Sequence, residues 1–266
     1  MRALAAESLP IVLTPGVIHL PSVPAHRKMN RVDMGTADKL CAVVLAASEQ
    51  ASRRGCAPGE VSFILLELGG AFSAAVAVEH GRVIDGVGGS SGPMGARAAG
   101  ALDGEVAFLA GIVTKEMLFH GGADAIAGME NASIADIGAA ATTRSQLAWH
   151  AFVESAVKAV AALAVSMPGV TDIVLSGRGA GVPRLRDALT SRLNALLARA
   201  SVRRIEGFAS EASHAAQGAA LLADGLAGGR HAPLVDRLGI RDAEGTVLDH
   251  LHVIASSVAR KRLGIE

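Results

Sequence analysis

The stretch from residue 61 to residue 89 constrains the fold more than any other part of the chain. It begins with an uninterrupted apolar run at Val61–Leu66, which is typical of a strand buried on both faces. Two further strand-like stretches follow at Phe72–Val78 and Val83–Val87, separated by the short connection Glu79–Gly81. A connection of that length with a glycine predicts a β-hairpin. The chain therefore predicts a buried central strand that leads directly into a hairpin.

Helices are predicted on both sides of these strands in the sequence. Thr36 is suited to cap a helix that stops at Gly55, because threonine is favoured at helix N-caps and glycine just after the last helical residue. A further strand is predicted to begin near Asp172 and to run into a glycine-rich loop. Patterns of the same kind predict helices at Trp149–Met167, Pro183–Ala200, Ser213–Leu226 and 246–262, and a short strand at Val202–Ile205.

The remaining segments carry weaker patterns. Residues 1–30 contain four prolines and predict extended pieces joined by turns. Residues 93–145 predict short helices and glycine-rich loops, and residues 230–245 a polar link. A hairpin followed by alternating strands and helices predicts an α/β fold, in which helices pack on the faces of a mixed sheet.

The charge balance argues against a nucleic-acid partner. The 266 residues include 25 Lys plus Arg and 25 Asp plus Glu, so the formal net charge is zero. Proteins that bind nucleic acids usually carry a basic excess. We therefore expect no nucleic-acid partner.

The cysteine content and the hydropathy pattern indicate a cytoplasmic protein. Cys41 and Cys56 are the two cysteines of the chain, too few for a disulfide scaffold. The N-terminus lacks the pattern of a secretory leader. The most apolar helical stretch, Ala156–Met167, is interrupted by Lys158 and is too short to cross a bilayer. We expect no membrane partner and a cytoplasmic location.

Three glycine-containing stretches are the candidates for chemistry. Gly69 and Gly70 follow the buried strand directly; they either form a tight turn or let backbone N–H groups approach an anion. Ser176, Gly177 and Gly179 lie where a strand opens into a helix, which is either an ordinary packed loop or a ligand site at the edge of an open α/β sheet. In the third stretch, Gly218 lies among alanines on a helix and indicates close packing against a neighbouring element.

In this order, over roughly residues 30–229, the three stretches resemble the second half of the acetate and sugar kinase/heat-shock-cognate/actin superfamily. In that superfamily a glycine-turned hairpin grips the phosphates, a later strand–glycine–helix element holds the adenosine, and a Gly-Ala-Ala helix closes the domain. The resemblance implies a ribonuclease-H-like, or actin-like ATPase, fold. Segments 23–40 and 81–92 look in particular like the predicted butyrate kinase group of unassigned function.

Two segments are similar to carboxylate kinases. Residues 31–40 look like a loop of acetate kinases, with matches at Arg31, Gly35, Thr36 and Lys39. Met34 and Asp38 stand where that family has histidines. The segment Gly92–Leu102 resembles a stretch of butyrate kinases, which implies that Arg97 lies on the substrate side of the cleft.

The chain also departs from the superfamily. Complete members begin with an Asp-x-Gly-Thr hairpin in a first domain of their own, whereas Val32–Thr36 has these letters but leads into a helix. Glu67 stands where carboxylate kinases have a histidine. The resemblance thus implies a remnant of the first lobe and a connecting helix at 1–58, a nucleotide-binding second domain at 59–229, and a C-terminal link and helix at 230–266.

The resemblance implies an ATP-dependent phosphotransferase that acts on a small carboxylate, with ATP and Mg²⁺ as cofactors. The implied catalytic residues are Arg31, Lys39, Glu67 and Arg97. Glu67 and Asp85 are the implied metal ligands, and the implied nucleotide-binding residues are Gly69, Gly70, Asp85, Gly88, Gly89, Ser176, Gly177 and Gly179.

Two alternatives stay open at the level of the sequence. The chain can be a non-catalytic ATP-binding protein, or one half of a kinase whose missing lobe is a separate polypeptide. Phosphoryl transfer relies on positioning and charge neutralisation, so the loss of one phosphate loop can abolish catalysis while nucleotide binding survives. We expect a homo-oligomer or a companion chain, because a missing lobe leaves an apolar surface uncovered.

Overall fold

A computed structural model describes Glu7, residues 10–197 and residues 200–265. Within these residues the chain forms a mixed sheet in the order β3-β2-β1-β4-β5. β1 pairs antiparallel with β2 and parallel with β4, while β3 and β5 are the edges. The strands are β1 (Phe63–Leu68), β2 (Ser73–Glu79), β3 (Arg82–Val87), β4 (Asp172–Ser176) and β5 (Ser201–Arg204). The predicted hairpin and the mixed α/β architecture are confirmed.

The helices flank this sheet on both faces. They are α1 (Ala25–Lys28), α2 (Ala37–Arg54), α3 (Gly104–Ala110), α4 (Ala123–Ala127), α5 (Ile134–Ala139), α6 (Thr143–Ser166), α7 (Pro183–Leu196), α8 (His214–Leu226), α9 (Ala232–Leu238) and α10 (Ser256–Leu263). Thr36 is the N-cap residue of α2, and Gly55 ends it in the left-handed conformation, as the sequence predicts.

The alternation of side chains along the strands divides the core into two layers. In β1, Phe63 and Leu65 face the layer that contains α2, α8 and α9. Ile64 and Leu66 face the opposite layer, which contains α6 and α7. All four side chains are fully buried, because successive residues of a strand point to opposite faces of the sheet. β1 is therefore the centre of the fold, as its uninterrupted apolar run predicts.

The segment before β1 belongs to the first of these layers. Val17, Leu20 and Met34 are buried in the same cluster as the apolar face of α2 and the strands. The predicted boundary at residue 58 stays a prediction about domain ancestry. In the structure, the part of segment 1–58 that is described shares a hydrophobic core with the sheet.

Helix α6 is the one helix within the described residues that is long and apolar enough to cross a membrane by length and composition. Its side chains Trp149, Phe152 and Val160 are buried in the layer that packs on the sheet. The helix also carries the charged pair Glu154 and Lys158 on its exposed side. Packing against the sheet thus accounts for its apolar composition.

Three predictions about local structure are wrong or incomplete. The polar link predicted at 230–245 contains α9, whose Leu234 and Val235 are buried. The last helix was predicted at 246–262 but begins at Ser256. The carboxylate of Asp249 accepts hydrogen bonds from the backbone and hydroxyl of Thr246, and such local bonds compete with the helical pattern. Residues 10–30 contain α1 and a short 3₁₀ turn at Val17–His19 besides the predicted extended pieces.

Parts of two predictions lie outside the described residues. The helix predicted at Pro183–Ala200 is present as α7, and residues 198–199 lie outside the described part of the chain. The same holds for most of residues 1–9, on which the prediction about a secretory leader rests.

Helices α2 and α8 approach each other closely at Gly218, as the sequence indicates. A Cβ atom at this position would lie 1.8 Å from the carbonyl oxygen of Cys41 on α2. Real atoms do not approach so closely, so only glycine allows the two backbones to pack at this distance. The helix pair covers one face of the sheet and positions the N-termini of both helices at the same edge.

The substitution Gly218→Ala is expected to destabilise the protein by about 1–3 kcal/mol, because the added methyl group forces α2 and α8 apart. This loss exceeds the gain of up to about 1 kcal/mol that alanine brings to a helix. Gly104→Ala is the matched control, since a Cβ atom there meets no atom within 4 Å. Denaturant midpoints measure both effects, and equal midpoints for the two variants would contradict the close approach.

Candidate functional site

A cleft of about 780 Å³ opens at the edge of the sheet where β1 and β4 end. Its walls come from the turn after β1, the loop after β4, the start of α2 and the segment from Arg204 to Ala215. Because β1 and β4 are parallel neighbours with Glu67 opposite Ser176, their carboxyl ends lie side by side. Ligands of open α/β sheets bind at this kind of edge.

The first glycine corner forms one wall of the cleft. The N–H of Gly69 donates to the carbonyl oxygen of Phe72 at 3.0 Å. A Cβ atom on Gly69 would lie 2.5 Å from the same oxygen, so the tight turn requires glycine there. Gly70 is exposed at the cleft, and a Cβ atom there would lie 3.4 Å from the side chain of Arg178. Turn geometry therefore accounts for Gly69, while Gly70 offers open backbone to the cleft.

The second glycine corner lies against the end of β1. Gly177 has φ +81°, and a Cβ atom there would lie 2.5 Å from the carbonyl oxygen of Leu68 and 2.7 Å from Oε1 of Glu67. Gly177 lines the cleft, whereas Gly179 is buried under Leu68. Ser176 is also buried. Of the residues predicted here, Gly177 lines the cleft. Ser176 and Gly179 are buried and do not line it.

Glu67 lies between the two corners and lines the cleft. The hydroxyl of Ser176 donates a hydrogen bond to its Oε2. Burial raises the pKa of this carboxyl group to about 7; the charge of Lys39 opposes the shift and that of Asp38 adds to it. A carboxyl group with such a pKa gains or loses a proton near neutral pH. A perturbed pKa of this kind inside a cleft is typical of functional sites.

Lys39 and Asp38 enter the cleft from the first turn of α2. The Nζ atom of Lys39 lies 2.6 Å from Oδ2 of Asp38. Burial raises the pKa of Asp38, but hydrogen bonds from Lys39 and Thr36 outweigh this effect and lower the pKa overall. The Lys39 side chain is only 15% exposed, so its charge is held at the cleft by its ion pair and by the packing around it.

Two arginines lie beside the glycine corners, and a third, Arg204, also lines the cleft. The loop that carries Arg97 packs on the first corner, because the N–H of Arg97 donates to the carbonyl oxygen of Ala71 at 3.2 Å. Arg178 extends from the second corner toward Gly70. Both side chains line the cleft and are exposed. With Lys39 they provide three cationic groups next to the glycine backbone.

Besides the buried Ser176 and Gly179, four predicted site residues do not line this cleft. Arg31 is exposed, and its guanidinium lies 3.4 Å from the carbonyl oxygen of Ser91. Asp85 accepts hydrogen bonds from the hydroxyl of Ser166 at 2.6 Å and from the N–H of Gly86 at 2.8 Å. The other two are Gly88 and Gly89. None of the four is among the residues that line the cleft.

Gly88 and Gly89 are explained by protein contacts. A Cβ atom on Gly88 would overlap the carboxylate of Asp33, and one on Gly89 would overlap the ring of Phe72. The Asp33 carboxylate accepts hydrogen bonds from the N–H and the hydroxyl of Ser90, each at 3.1 Å. The Asp33 carboxylate therefore already occupies hydrogen-bond donors of this glycine-rich loop that an external anion would need.

The sequence analysis missed the segment that forms the far wall of the cleft. Gln217 is buried, and its Oε1 accepts hydrogen bonds from the N–H groups of Phe208 at 2.6 Å and Ala209 at 3.0 Å. Its Nε2 donates to the carbonyl oxygens of Ala209 and Ala212. Gln217 thereby holds the loop that precedes α8 against the cleft. The available signal was a single glutamine inside an alanine-rich helix.

The carboxylates of the cleft fit a magnesium ion that is held together with phosphate groups. Mg²⁺ in phosphotransferase sites is bound by one or two carboxylates, substrate phosphates and waters. Glu67 and Asp38 line the cleft, whereas Asp85 does not reach it. Within the described residues there is no cluster of three or more His, Cys, Asp or Glu side chains that could hold a metal by itself.

The chain belongs to the family described as "Protein of unknown function (DUF1464)", whose model matches residues 1–253. The comparison with curated proteins finds no match.

Several solved kinase structures share its fold. Acetate kinase from Porphyromonas gingivalis is 20% identical, with a TM-score of 0.51 over 59% of this chain and 42% of that chain. Propionate kinase from Francisella tularensis is 18% identical, with a TM-score of 0.54 over 67% of this chain and 53% of that chain. Acetate kinase from Entamoeba histolytica is 16% identical, with a TM-score of 0.50 over 58% of this chain and 44% of that chain.

These similarities confirm the predicted fold class, which is that of the actin-like ATPases. The match spans about half the length of the kinases. At this level of identity the similarity concerns the fold. The nucleotide, the acceptor and the narrower resemblance to butyrate kinases belong to the proposal below.

The raised pKa of Glu67 predicts a pH-dependent cost to stability. Between pH 4.5 and about 7 the folded protein keeps a proton that the unfolded chain has lost, so stability falls as pH rises through this window and levels off above it. The cost at pH 8 is roughly 3 kcal/mol. In Glu67→Gln this cost is absent, so its melting temperature relative to the wild type should rise from pH 5 to pH 8.

Glu130→Gln is the control for this measurement, because Glu130 is exposed. Its melting temperature relative to the wild type should stay constant across the same pH range. A constant difference for Glu67→Gln as well would show that the Glu67 carboxyl group titrates at an ordinary pKa.

Proposed function

We propose that the cleft binds ATP and that the chain is the nucleotide-binding part of a phosphotransferase that acts on a small carboxylate. One observation carries the proposal: two glycine corners more than a hundred residues apart, at Gly69–Gly70 and Gly177, line one cleft together with Lys39, Arg97 and Arg178. The kinases of similar fold support the same class of function.

The backbone of the first corner suits the phosphates. Gly70 has no side chain and faces the cleft, so phosphate oxygens can approach its N–H group closely. Lys39 and Arg97 lie on the same cleft and can neutralise the charge of the β- and γ-phosphates. Gly177 lines the other wall, and we assign the adenosine to that wall. The nucleotide would thus extend from the first corner to the second.

When bound, magnesium supplies charge neutralisation between the β- and γ-phosphates. Glu67 is the carboxylate of this chain that we assign to it, with Asp38 as its neighbour. Because the pKa of Glu67 is about 7, the carboxyl group is only partly ionised at neutral pH, and a nearby cation favours its ionised form. Asp85, the other metal ligand expected from the sequence, is not part of this assignment.

The reaction that suits these groups forms an acyl phosphate. A carboxylate oxygen of the acceptor attacks the γ-phosphorus, the bond to the bridging oxygen breaks, and ADP leaves with that oxygen. In such a transfer the protein mainly positions the reacting groups and stabilises the charge of the transferred phosphoryl group. We assign Arg97 to the acceptor and the transferred phosphoryl group, since it is exposed at the cleft beside the phosphate corner. Acetate, propionate and butyrate are the acceptors to test.

The length of the match favours a second candidate, in which the chain binds ATP without completing the reaction alone. The chain spans about half the length of the similar kinases. A partner chain would then supply further phosphate contacts. The two candidates differ in whether the chain by itself forms acyl phosphate.

ATP with Mg²⁺ is expected to raise the melting temperature by about 5–10 °C at 100 times its dissociation constant, which corresponds to about 2.7 kcal/mol. Lys39→Met should lose most of this shift, because a charge that faces the phosphates is removed. Lys158→Met, a change at the exposed helix surface, should keep it. An absent shift with every nucleotide tested would overturn both candidates.

Arg97→Gln is expected to lower acyl-phosphate formation roughly 100-fold or more, because a charge that stabilises the transition state is lost. Trapping of the product with hydroxylamine measures the rate. Arg192→Gln, an exposed arginine on α7, should keep the wild-type rate. Stabilisation by ATP without any acyl phosphate in the wild type would favour the second candidate.

A further inference from the structure

A second cavity, of about 840 Å³, lies along the outer edge of the sheet between α2, β5 and the segment after β5. Ser48, Ser52, Arg230 and His231 line it, and they also line a neighbouring cavity of about 440 Å³. We call the two together the edge groove. The larger cavity alone has a size typical of sites for small molecules. The nucleotide cleft is separate and shares only Arg204 and Glu206 with the groove.

The edge groove carries an excess of positive charge. Four arginines line its larger cavity against two glutamates, Glu49 and Glu206. Both carboxylate oxygens of Glu49 already accept hydrogen bonds from the backbone. Oε1 accepts one from the N–H of Gly207 at 2.6 Å, and Oε2 accepts one from the N–H of Glu206 at 3.3 Å. Arg53 is paired with Asp172, with its Nη2 3.1 Å from Oδ2. The excess of positive charge therefore rests on Arg203, Arg204 and Arg230.

Arg203 shows this imbalance most clearly. Its side chain is only 17% exposed, and its nearest acid is Glu49, with Nη1 3.6 Å from Oε2. Within the described residues, its Nε and Nη2 atoms are buried without a hydrogen-bond partner. Burial lowers the pKa of Arg203, and the charge of Arg53 adds to the effect. A buried guanidinium with two unpaired nitrogens is costly, and the negative charge of an anion in the groove would lower this cost without contacting those two nitrogens.

The other polar groups of the groove suit a phosphate. Ser48 and Ser52 are four residues apart on α2 and therefore lie on the same face of the helix. The Nδ1 atom of His231 lies 2.6 Å from Oδ2 of Asp224, so this nitrogen donates to the carboxylate. In the neutral ring Nε2 is then an acceptor, so His231 adds no donor for a phosphate. The two hydroxyls and the arginine side chains still offer more donors than the two oxygens of a carboxylate require.

The groove also has an apolar part. Leu45 and Leu221 are buried beneath it, and Phe208 lies beside it with 62% of its surface exposed. An inorganic anion would leave the exposed ring of Phe208 uncovered. A ligand that fits the whole groove has a phosphate at one end and a hydrocarbon body at the other.

We infer that the edge groove is a second ligand site, which binds a phosphomonoester with an apolar body through Arg203, Arg230, Ser48 and Ser52 and the hydrocarbon contacts of Leu45 and Phe208. This site is independent of the nucleotide cleft. Its existence does not rest on the phosphotransferase proposal, because the residues that bind the phosphate are different.

Monobutyl phosphate is the probe, and titration calorimetry measures its binding. We expect it to bind at least tenfold more tightly than inorganic phosphate, butan-1-ol or pentanoate, each of which lacks one part of the ligand. Arg203→Gln and Arg230→Gln should each weaken binding at least tenfold. Arg97→Gln, which alters the nucleotide cleft, and Arg192→Gln, which alters the exposed surface of α7, should leave it unchanged.

Several results would overturn the inference: no binding of monobutyl phosphate, equal or tighter binding of pentanoate, or binding that persists in Arg230→Gln. Arg230 is exposed, so this variant tests the site even if Arg203→Gln does not fold. Binding that is lost in Arg97→Gln would place the probe in the nucleotide cleft and would equally overturn the inference.

Discussion

The parallel pairing of β1 with β4 is the constraint on which the rest of the structure depends. It places Glu67 opposite Ser176, so the two strands end side by side and both glycine corners turn at one edge of the sheet. The fit is close: the backbone of Gly177 lies against the carbonyl oxygen of Leu68 and the carboxyl group of Glu67. A larger residue at the second corner would push the two strand ends apart and would displace Glu67 from the cleft.

The same sheet edge shows that a glycine-rich loop is not by itself an anion site. The loop at Gly88–Gly89 and the corner at Gly69–Gly70 look alike in the sequence. In the structure, the Asp33 carboxylate takes the donors of the first loop, whereas Gly70 faces an open cleft. The difference arises because residues far apart in the chain either bring an acid to the loop or bring basic side chains such as Lys39 beside it.

The loop between β5 and α8 connects the two cavities of the molecule. Gln217 holds its C-terminal part against the cleft, and Glu49 on α2 holds its N-terminal part beside the edge groove. Both side chains accept hydrogen bonds from backbone N–H groups of this loop. Close packing of α2 against α8 at Gly218 keeps the two anchors in a constant position relative to each other.

The central strand, the hairpin, the main helices and the glycine corners could all be predicted from the sequence, because they follow from local patterns of hydrophobicity and from the conformational freedom of glycine. The order of the elements also predicted the α/β class. Which polar residues meet depends on tertiary packing, which brings Lys39, Glu67 and Arg97 to one cleft and leaves Asp85 on β3 in contact with Ser166. The tertiary structure likewise revealed the buried, unpaired Arg203. Burial, the pKa of a carboxyl group and the convergence of side chains all depend on contacts between distant segments, and no local pattern encodes those contacts.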